Sequence, residues 1–434
     1  MKRDDAEVQP SAVVGPSKPR ILSVLGPGLI TGASDDDPSG IATYSQAGAV
    51  FGYSLLWTML LTYPLMVAVQ EISARIGRTT GKGICGNIIG RFPTPLIYSL
   101  VGLLFFANVI NIGADLGAMG DAGVLLIGGS RLLYVVVLGA ICILLQIFLK
   151  YTRYVAVLKW LALALFAYVA TLFVVEVSWG EALKGLVLPT PSTQSNYWQT
   201  VVAIFGTTIS PYLFFWQASQ EVEDIHEIPR RQPLKRKPQQ AEGALQRIRL
   251  DTAVGMAFSN LVAISIMITV AATLHVAGKT NIESSAQAAE ALRPIAGDYA
   301  FLLFAAGIVG TGLLSIPVLA GSAAYAAGET FRWRTGLALD PREGKAFYGT
   351  IALATIIGII LNFTPVDPIK ALFYSAVLNG LAAVPVLIAM LMIARDPRAM
   401  GTFRIQGTLM TLGWITVIVM GAAAAAMGAQ FFTG

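Results

Sequence analysis

"ITGASDDDPSGIAT", residues 30–43, decides how this chain is read. Apolar sequence flanks it, Ile21 to Leu29 before and Ile41 to Phe51 after. Together they are long enough to cross a hydrocarbon core, which takes about 20 residues. Yet the middle holds Asp35, Asp36 and Asp37, then Pro38 and Gly40. Proline removes an amide donor and interrupts a helix. Broken backbone at membrane depth is tolerated only where protein or an aqueous cavity surrounds it, and intramembrane acids mark ion pathways. The stretch therefore reads as a membrane helix broken around a site.

The rest of the chain supports a membrane setting. Of 434 residues, 55% are hydrophobic and 13% charged, against about 25% charged in soluble domains. Only helices or closed barrels satisfy the backbone in lipid, and continuous runs rich in Ala, Leu and Gly favour helices over barrel alternation. Eleven spans are expected, at 22–47, 53–76, 96–126, 131–149, 154–177, 197–222, 250–276, 299–328, 345–362, 367–394 and 407–430. Residues 1–20 are polar, with Pro10, Pro16 and Pro19, and read as a disordered cytoplasmic tail. Residues 21–434 then form one transmembrane domain. No cleavable signal is evident. The two cysteines, Cys85 and Cys142, imply no disulfide framework.

The net charge of +5 suggests no nucleic-acid partner, because the basic residues fall in loops. With the N-terminus inside, the inner segments collect Arg75, Arg78, Lys82 and Arg91, then Lys150 and Arg153, then the Arg230–Arg249 stretch, and further Arg and Lys after spans 8 and 10. The outer segments hold Arg131, Lys184, Lys279 and Arg293. That is the positive-inside imbalance. It places the N-terminus in the cytoplasm and the C-terminus outside, in a plasma (inner) membrane. The Glu221–Arg249 segment is the longest charged loop expected. Its "RRQPLKRKP" is a topology signal first, with anionic lipid headgroups as the alternative.

A second span is broken. "FGTTISPYLFF", residues 205–215, has Pro211 after Thr207, Thr208 and Ser210. The two breaks sit five spans apart, at matching places in spans 1–5 and 6–10. Such interruptions point to an inverted-repeat transporter with its site near the midplane. Pro64, Pro317 and Pro385 lack acids beside them and read as simple kinks.

These residues carry a resemblance to the Nramp family of divalent-metal transporters. "LGPGLITGASDDDPSGIATYSQAGA" is similar to that family's first helix, with its Asp-Pro-Gly-Asn signature, and "FGTTISPYLFFWQAS" to its Gly-Ala-Thr-Val-Met-Pro-His segment. The resemblance covers nearly the whole chain. It implies a LeuT-like fold: inverted repeats in spans 1–5 and 6–10 plus an eleventh helix, with a metal site between unwound helices 1 and 6. Asp37 and Pro38 match the signature. Gly40 stands where the metal-binding Asn is, Thr207 at the Ala whose carbonyl is a ligand, Ser210 at the metal-binding Met and Tyr212 at the His. A divergent branch, the Nramp-related magnesium transporters, shares the loss of Asn and Met.

The chemistry of the residues agrees. Without a thioether or imidazole in either break, the donors are the Asp37 carboxylate, Asp36 or Asp35, the hydroxyls of Thr207, Thr208 and Ser210, and freed carbonyls. Oxygen donors suit Mg²⁺, Ca²⁺ and Mn²⁺. Mg²⁺ keeps several waters and binds through one or two carboxylates, and the smaller Gly40 and Ser210 suggest a larger cavity for a hydrated ion. Asp36 serves either the ion or a helix end; Asp35 reads as a helix-end cap. In span 3, Asn108, Asn111 and Asp115 share a helix face. By resemblance Asp115 matches a proton-conducting Asp, while Asn108 and Ala118 replace proton-conducting Glu residues. Asn111 reads as an interhelical hydrogen bonder. Asn379 in span 10 is a further polar candidate.

The expected function is carriage of hard divalent cations, Mg²⁺ or Mn²⁺, by alternating access without proton coupling. The alternatives are a proton-coupled Mn²⁺/Fe²⁺ symporter and a LeuT-like amino-acid or amine transporter. No enzymatic motif, resident cofactor or obligate protein partner is expected. The cation is substrate, and the bilayer is the surroundings.

Overall fold

The computed structural model describes residues 27–148, 165–192, 194, 196–228, 230–280, 282 and 285–433. The expected N-terminal tail lies outside the described residues. Among those described the chain is all-helical. Span 1 is two helices, α1 (Pro27–Asp35) and α2 (Pro38–Phe51). Spans 2 to 4 are α3 (Trp57–Thr80), α4 (Thr94–Ile127) and α5 (Arg131–Phe148). Of span 5, α6 (Phe166–Thr171) is described; 149–164 lie outside the described residues. Span 6 is again two helices, α7 (Tyr197–Thr208) and α8 (Pro211–Glu227). Spans 7 to 11 are α9 (Ala241–Val270), α10 (Ala300–Phe331), α11 (Lys345–Leu361), α12 (Pro368–Arg395) and α13 (Thr408–Thr433).

Seven described segments are long and apolar enough to cross a membrane. Of the other four spans, span 5 is described only in part, and the rest fall short for visible reasons. Span 1 is split, α3 carries Glu71, Arg75 and Arg78, and α11 has 17 residues. Both breaks follow one local rule. A residue in extended backbone precedes a proline at the first helical position, Asp37–Pro38 and Ser210–Pro211. Proline suits that position, where its missing N–H has no intrahelical role.

Helix packing sets the breaks side by side. α1 lies on α9, α7 on α12, α8 on α3, and α4 on α10. Several of the helix contacts are backbone to backbone. A Cβ on Gly206 would stand 1.9 Å from the Ala376 carbonyl oxygen, and one on Gly32 2.2 Å from that of Gly255. Small residues permit this approach, which is how helices associate where lipid is as apolar as leucine.

The expected loop between spans 6 and 7 is shorter than its charge pattern suggests. α8 continues to Glu227 and α9 begins at Ala241. Ion pairs hold these extensions: Arg247 to Glu221 at 2.5 Å, and Arg231 to Asp224. Lys235 of the "RRQPLKRKP" run donates to the Arg398 carbonyl at 3.0 Å, so part of that run is spent within the protein. Cys85 and Cys142 are free and buried, and burial pushes the Cys85 thiol well above its ordinary range.

Candidate cation site

Asp37 is the N-cap of α2. Its Oδ1 accepts from the Gly40 amide at 2.7 Å and the Ser39 hydroxyl at 2.6 Å. Its Oδ2 accepts from the Asn111 side-chain amide of α4 at 3.0 Å, and Asn111 Oδ1 accepts from Ser375 of α12 at 2.8 Å. A single chain of bonds thus ties the first break to spans 3 and 10. Asn111, expected as a mere interhelical link, touches the site carboxylate itself. Replacing Asn111 with Ala leaves Asp37 Oδ2 and Ser375 short of a buried partner, at about 1–3 kcal/mol. We expect helicity to persist in circular dichroism while the apparent affinity for transported metal falls several-fold in proteoliposomes.

The other two acids meet span 7. Ser259 Oγ lies 2.6 Å from Asp35 Oδ2 and 3.2 Å from Asp36 Oδ1. One hydroxyl has one proton, so it cannot satisfy both carboxylates. Asp35 Oδ1 and Asp36 Oδ2 are buried without a hydrogen-bond partner. Asp35 is the last residue of α1. That corrects the expectation of an N-terminal cap, because a carboxylate there meets the negative end of the helix dipole. The role falls to Asp37 instead. All three acids are at most 1% exposed, and a buried carboxylate without a partner charge is costly.

The second break closes over the first. Tyr212, at the start of α8, donates to the Ser34 carbonyl near the end of α1 at 3.2 Å. Ser210 Oγ donates back to the carbonyls of Gly206 at 2.6 Å and Thr207 at 3.0 Å, and Thr208 Oγ1 to that of Ile204 at 2.9 Å. These hydroxyls keep lone pairs for a cation. The expected larger cavity is not found at Gly40. A Cβ there would lie 3.0 Å from Thr207 Oγ1, 3.3 Å from the Asp35 carbonyl oxygen and 3.3 Å from the Tyr44 ring. Thr207 and Tyr44 occupy the space beside Gly40. A thioether also comes near: the Met119 sulfur and the Pro38 ring border the same face of Gly312.

The span-3 candidates separate. Asn108 donates to the Leu319 carbonyl and to Ser322, both at 2.8 Å, and so serves the α4–α10 contact. Asp115 accepts from Ser315 of α10 at 3.0 Å, and its Oδ1 has no partner. It lies within the field of Asp37, and the Ser39 amide reaches it. Asn379 is buried with neither polar atom satisfied. Among the described residues no three His, Cys, Asp or Glu side chains converge as a metal cage. Asn111, Ser259 and Ser375 were missed as site residues, because only the Asn111–Asp115 face was visible in the sequence.

Ala42, Gln46, Thr200, Asp367 and Lys370 border a cleft of about 240 Å³. Beneath it, a void of about 10 Å³ touches Pro38 and Ile41. At the basic end of the bundle, polar links join the described helices. Arg247 binds Glu221, Arg78 donates to the Gln232 carbonyl at 2.8 Å, Tyr325 donates to Glu223 at 2.7 Å, and Glu329 accepts from Gly83 and Gly86 at 2.5 and 2.9 Å.

A bundle with two opposed helix breaks around buried carboxylates belongs to the broken-helix transporters. The model of the family described as natural resistance-associated macrophage protein-like, Nramp, matches residues 28–430. The chain belongs to the Nramp family, whose members are transporters and not enzymes. It is 26% identical over 420 residues to the divalent metal cation transporter MntH of Aeromonas hydrophila subsp. hydrophila, covering 93% of this chain and 95% of that protein. The crystal structure of the Eremococcus coleocola manganese transporter, in complex with an aromatic bis-isothiourea substituted compound, superposes with a TM-score of 0.73. Its identity is 18%, with 98% of this chain and 91% of that chain covered. The closed structure of Mhp1, a nucleobase-cation-symport-1 family transporter, gives a TM-score of 0.52 at 15% identity, with 94% and 93% covered. The fold is accordingly the LeuT-like one, inverted repeats plus an eleventh helix.

Proposed function

We propose that this protein carries hard divalent cations, Mg²⁺ and Mn²⁺, by alternating access and without proton coupling. Divalent metal transport of the Nramp kind follows from the family. The choice of ion is supported by the donor types available at the two breaks: the Asp37 carboxylate, the Thr207, Thr208 and Ser210 hydroxyls and freed backbone carbonyls, all oxygen. Oxygen sites favour hard ions, and a carboxylate already bound by Ser39, Gly40 and Asn111 holds a partly hydrated ion without stripping every water. Asp36, with an unpartnered oxygen beside the break, is the second carboxylate. Tyr212 closes the site against Ser34; its reference pKa of about 10 keeps it from carrying protons near neutrality.

Proteoliposomes with an internal pH reporter test this directly. Mg²⁺ and Mn²⁺ are expected to enter, Cd²⁺ to gain little over them, and the lumen not to acidify with influx. A strong Cd²⁺ preference would point to the Met119 sulfur and overturn the hard-ion reading. Acidification that scales with influx and disappears in Asp115→Asn would establish the proton-coupled alternative, since Asp115 lies in the field of Asp37.

The orientation is part of the proposal. With the basic segments inside, the cleft at Asp367 opens outward and the Glu221–Arg247 end faces the cytoplasm of a cell bounded by this inner membrane. Accessibility labels at 228–240 and at the C-terminus are expected on opposite sides; labelling from one side alone would reverse it.

A further inference from the structure

A larger cleft lies away from the transport route. Spans 2, 7 and 11 leave a volume of about 650 Å³ lined by α3, α9 and α13, and the conduction route uses none of its residues. Its two kinds of wall are distinct. Val67, Leu409 and Leu412 are apolar, while Glu71, Arg75, Arg249, Gln406 and Thr408 are polar and lie toward the basic end of the bundle. Outward-facing neighbours on the same helices, Leu60 at 52% and Leu250 at 50% exposed, show that this flank faces hydrocarbon.

The positive charges there exceed the negative: Glu71, the one acid lining the cleft, pairs with Arg75 and leaves Arg249. Arg75 uses one terminal nitrogen on Glu71, one turn away, but its Nε is buried without a partner. Arg249 has no ion-pair partner among the described residues. Thr408 and Leu409 open α13, a helix of 26 residues, so the positive end of its dipole points at the cleft. Two guanidinium groups, a hydroxyl and a helix N-terminus outweigh the single Glu71 carboxylate and make this space an anion site. Apolar walls beneath it suit acyl chains, which a soluble anion lacks.

We propose that this cleft binds the phosphate headgroup of an anionic phospholipid, with its glycerol and upper acyl chains against Val67, Leu409 and Leu412. Basic pockets between membrane helices at the cytoplasmic side recognise such headgroups, and the guanidinium fork matches phosphate geometry better than an ammonium. The proposal is independent of which cation is carried, since it concerns a separate site.

Native mass spectrometry of the full-length protein, delipidated and given phosphatidylglycerol or phosphatidylcholine, reads the site. The wild type is expected to retain phosphatidylglycerol preferentially. Arg249→Ala is expected to weaken that retention roughly tenfold, the size of one lost charge-assisted hydrogen bond. Should Arg249→Ala fail to fold, Leu409→Trp fills the cleft while keeping both arginines, and is expected to lose the same lipid. Equal retention of the two lipids by the wild type would overturn the proposal. So would wild-type retention by the folded Arg249→Ala or Leu409→Trp protein. Full displacement of phosphatidylglycerol by millimolar inorganic phosphate would make the cleft a general anion site and likewise overturn it.

Discussion

Replacing Asp37 with Asn is expected to abolish metal uptake into proteoliposomes while leaving the protein folded. The carboxylate has two separable roles. As a cap it accepts from Gly40 and Ser39, and an Asn side-chain oxygen can do the same. As an anion it faces a doubly charged substrate, and Asn cannot. Asp37→Ala removes both, costing about 0.5–2 kcal/mol for the lost cap. That is small beside the packing of α2, most of whose 14 residues are buried against spans 6, 7 and 10. Both variants should therefore purify with native helicity, and both should be inactive. Wild-type uptake by Asp37→Asn would mean that the charge sits elsewhere, with Asp36 the next residue to replace.

How much of this was legible in the sequence differs by length scale. The breaks announced themselves because proline acts locally: Pro38 and Pro211 interrupt helices wherever they stand. Hydropathy revealed most spans for the same reason. The partners across the breaks did not show. Ser259 lies 224 residues from Asp35, and Asn111 lies 74 residues from Asp37. Their meeting depends on how closely helices approach at glycines such as Gly32 and Gly206, and on crossing angles that no periodicity encodes. The charged segment after span 6 misled for another reason. Its helices are held by ion pairs such as Glu221–Arg247 and not by an apolar stripe, so the helical period was absent from its hydrophobic pattern. Asp35 misled because its position relative to the break was known only to within a residue or two, enough to exchange one helix end for the other.

Restoring the asparagine of the family signature at Gly40 is expected to block transport of every ion instead of shifting preference toward soft metals. Viewed as composition, Gly40 looks like vacated room. The structure has filled that room: even a Cβ would stand 3.0 Å from Thr207 Oγ1 and 3.3 Å from both the Asp35 carbonyl oxygen and the Tyr44 ring. Asparagine adds a carboxamide beyond that Cβ. Overpacking of a closed site costs about 1–3 kcal/mol, roughly five- to a hundredfold in any equilibrium that must form it. The cost falls on the closed state, in which the breaks meet through Tyr212 and Ser34. Because Thr207 supplies the nearest atom, the double variant Gly40→Asn/Thr207→Ala should recover part of the uptake of Mg²⁺ and Mn²⁺. Flux of Mg²⁺, Mn²⁺ and Cd²⁺ through the wild type and both variants decides the matter. If Gly40→Asn alone carried Cd²⁺ faster than the wild type, Thr207 and Tyr44 would have to give way freely, and the tight contact at Gly40 would not limit transport.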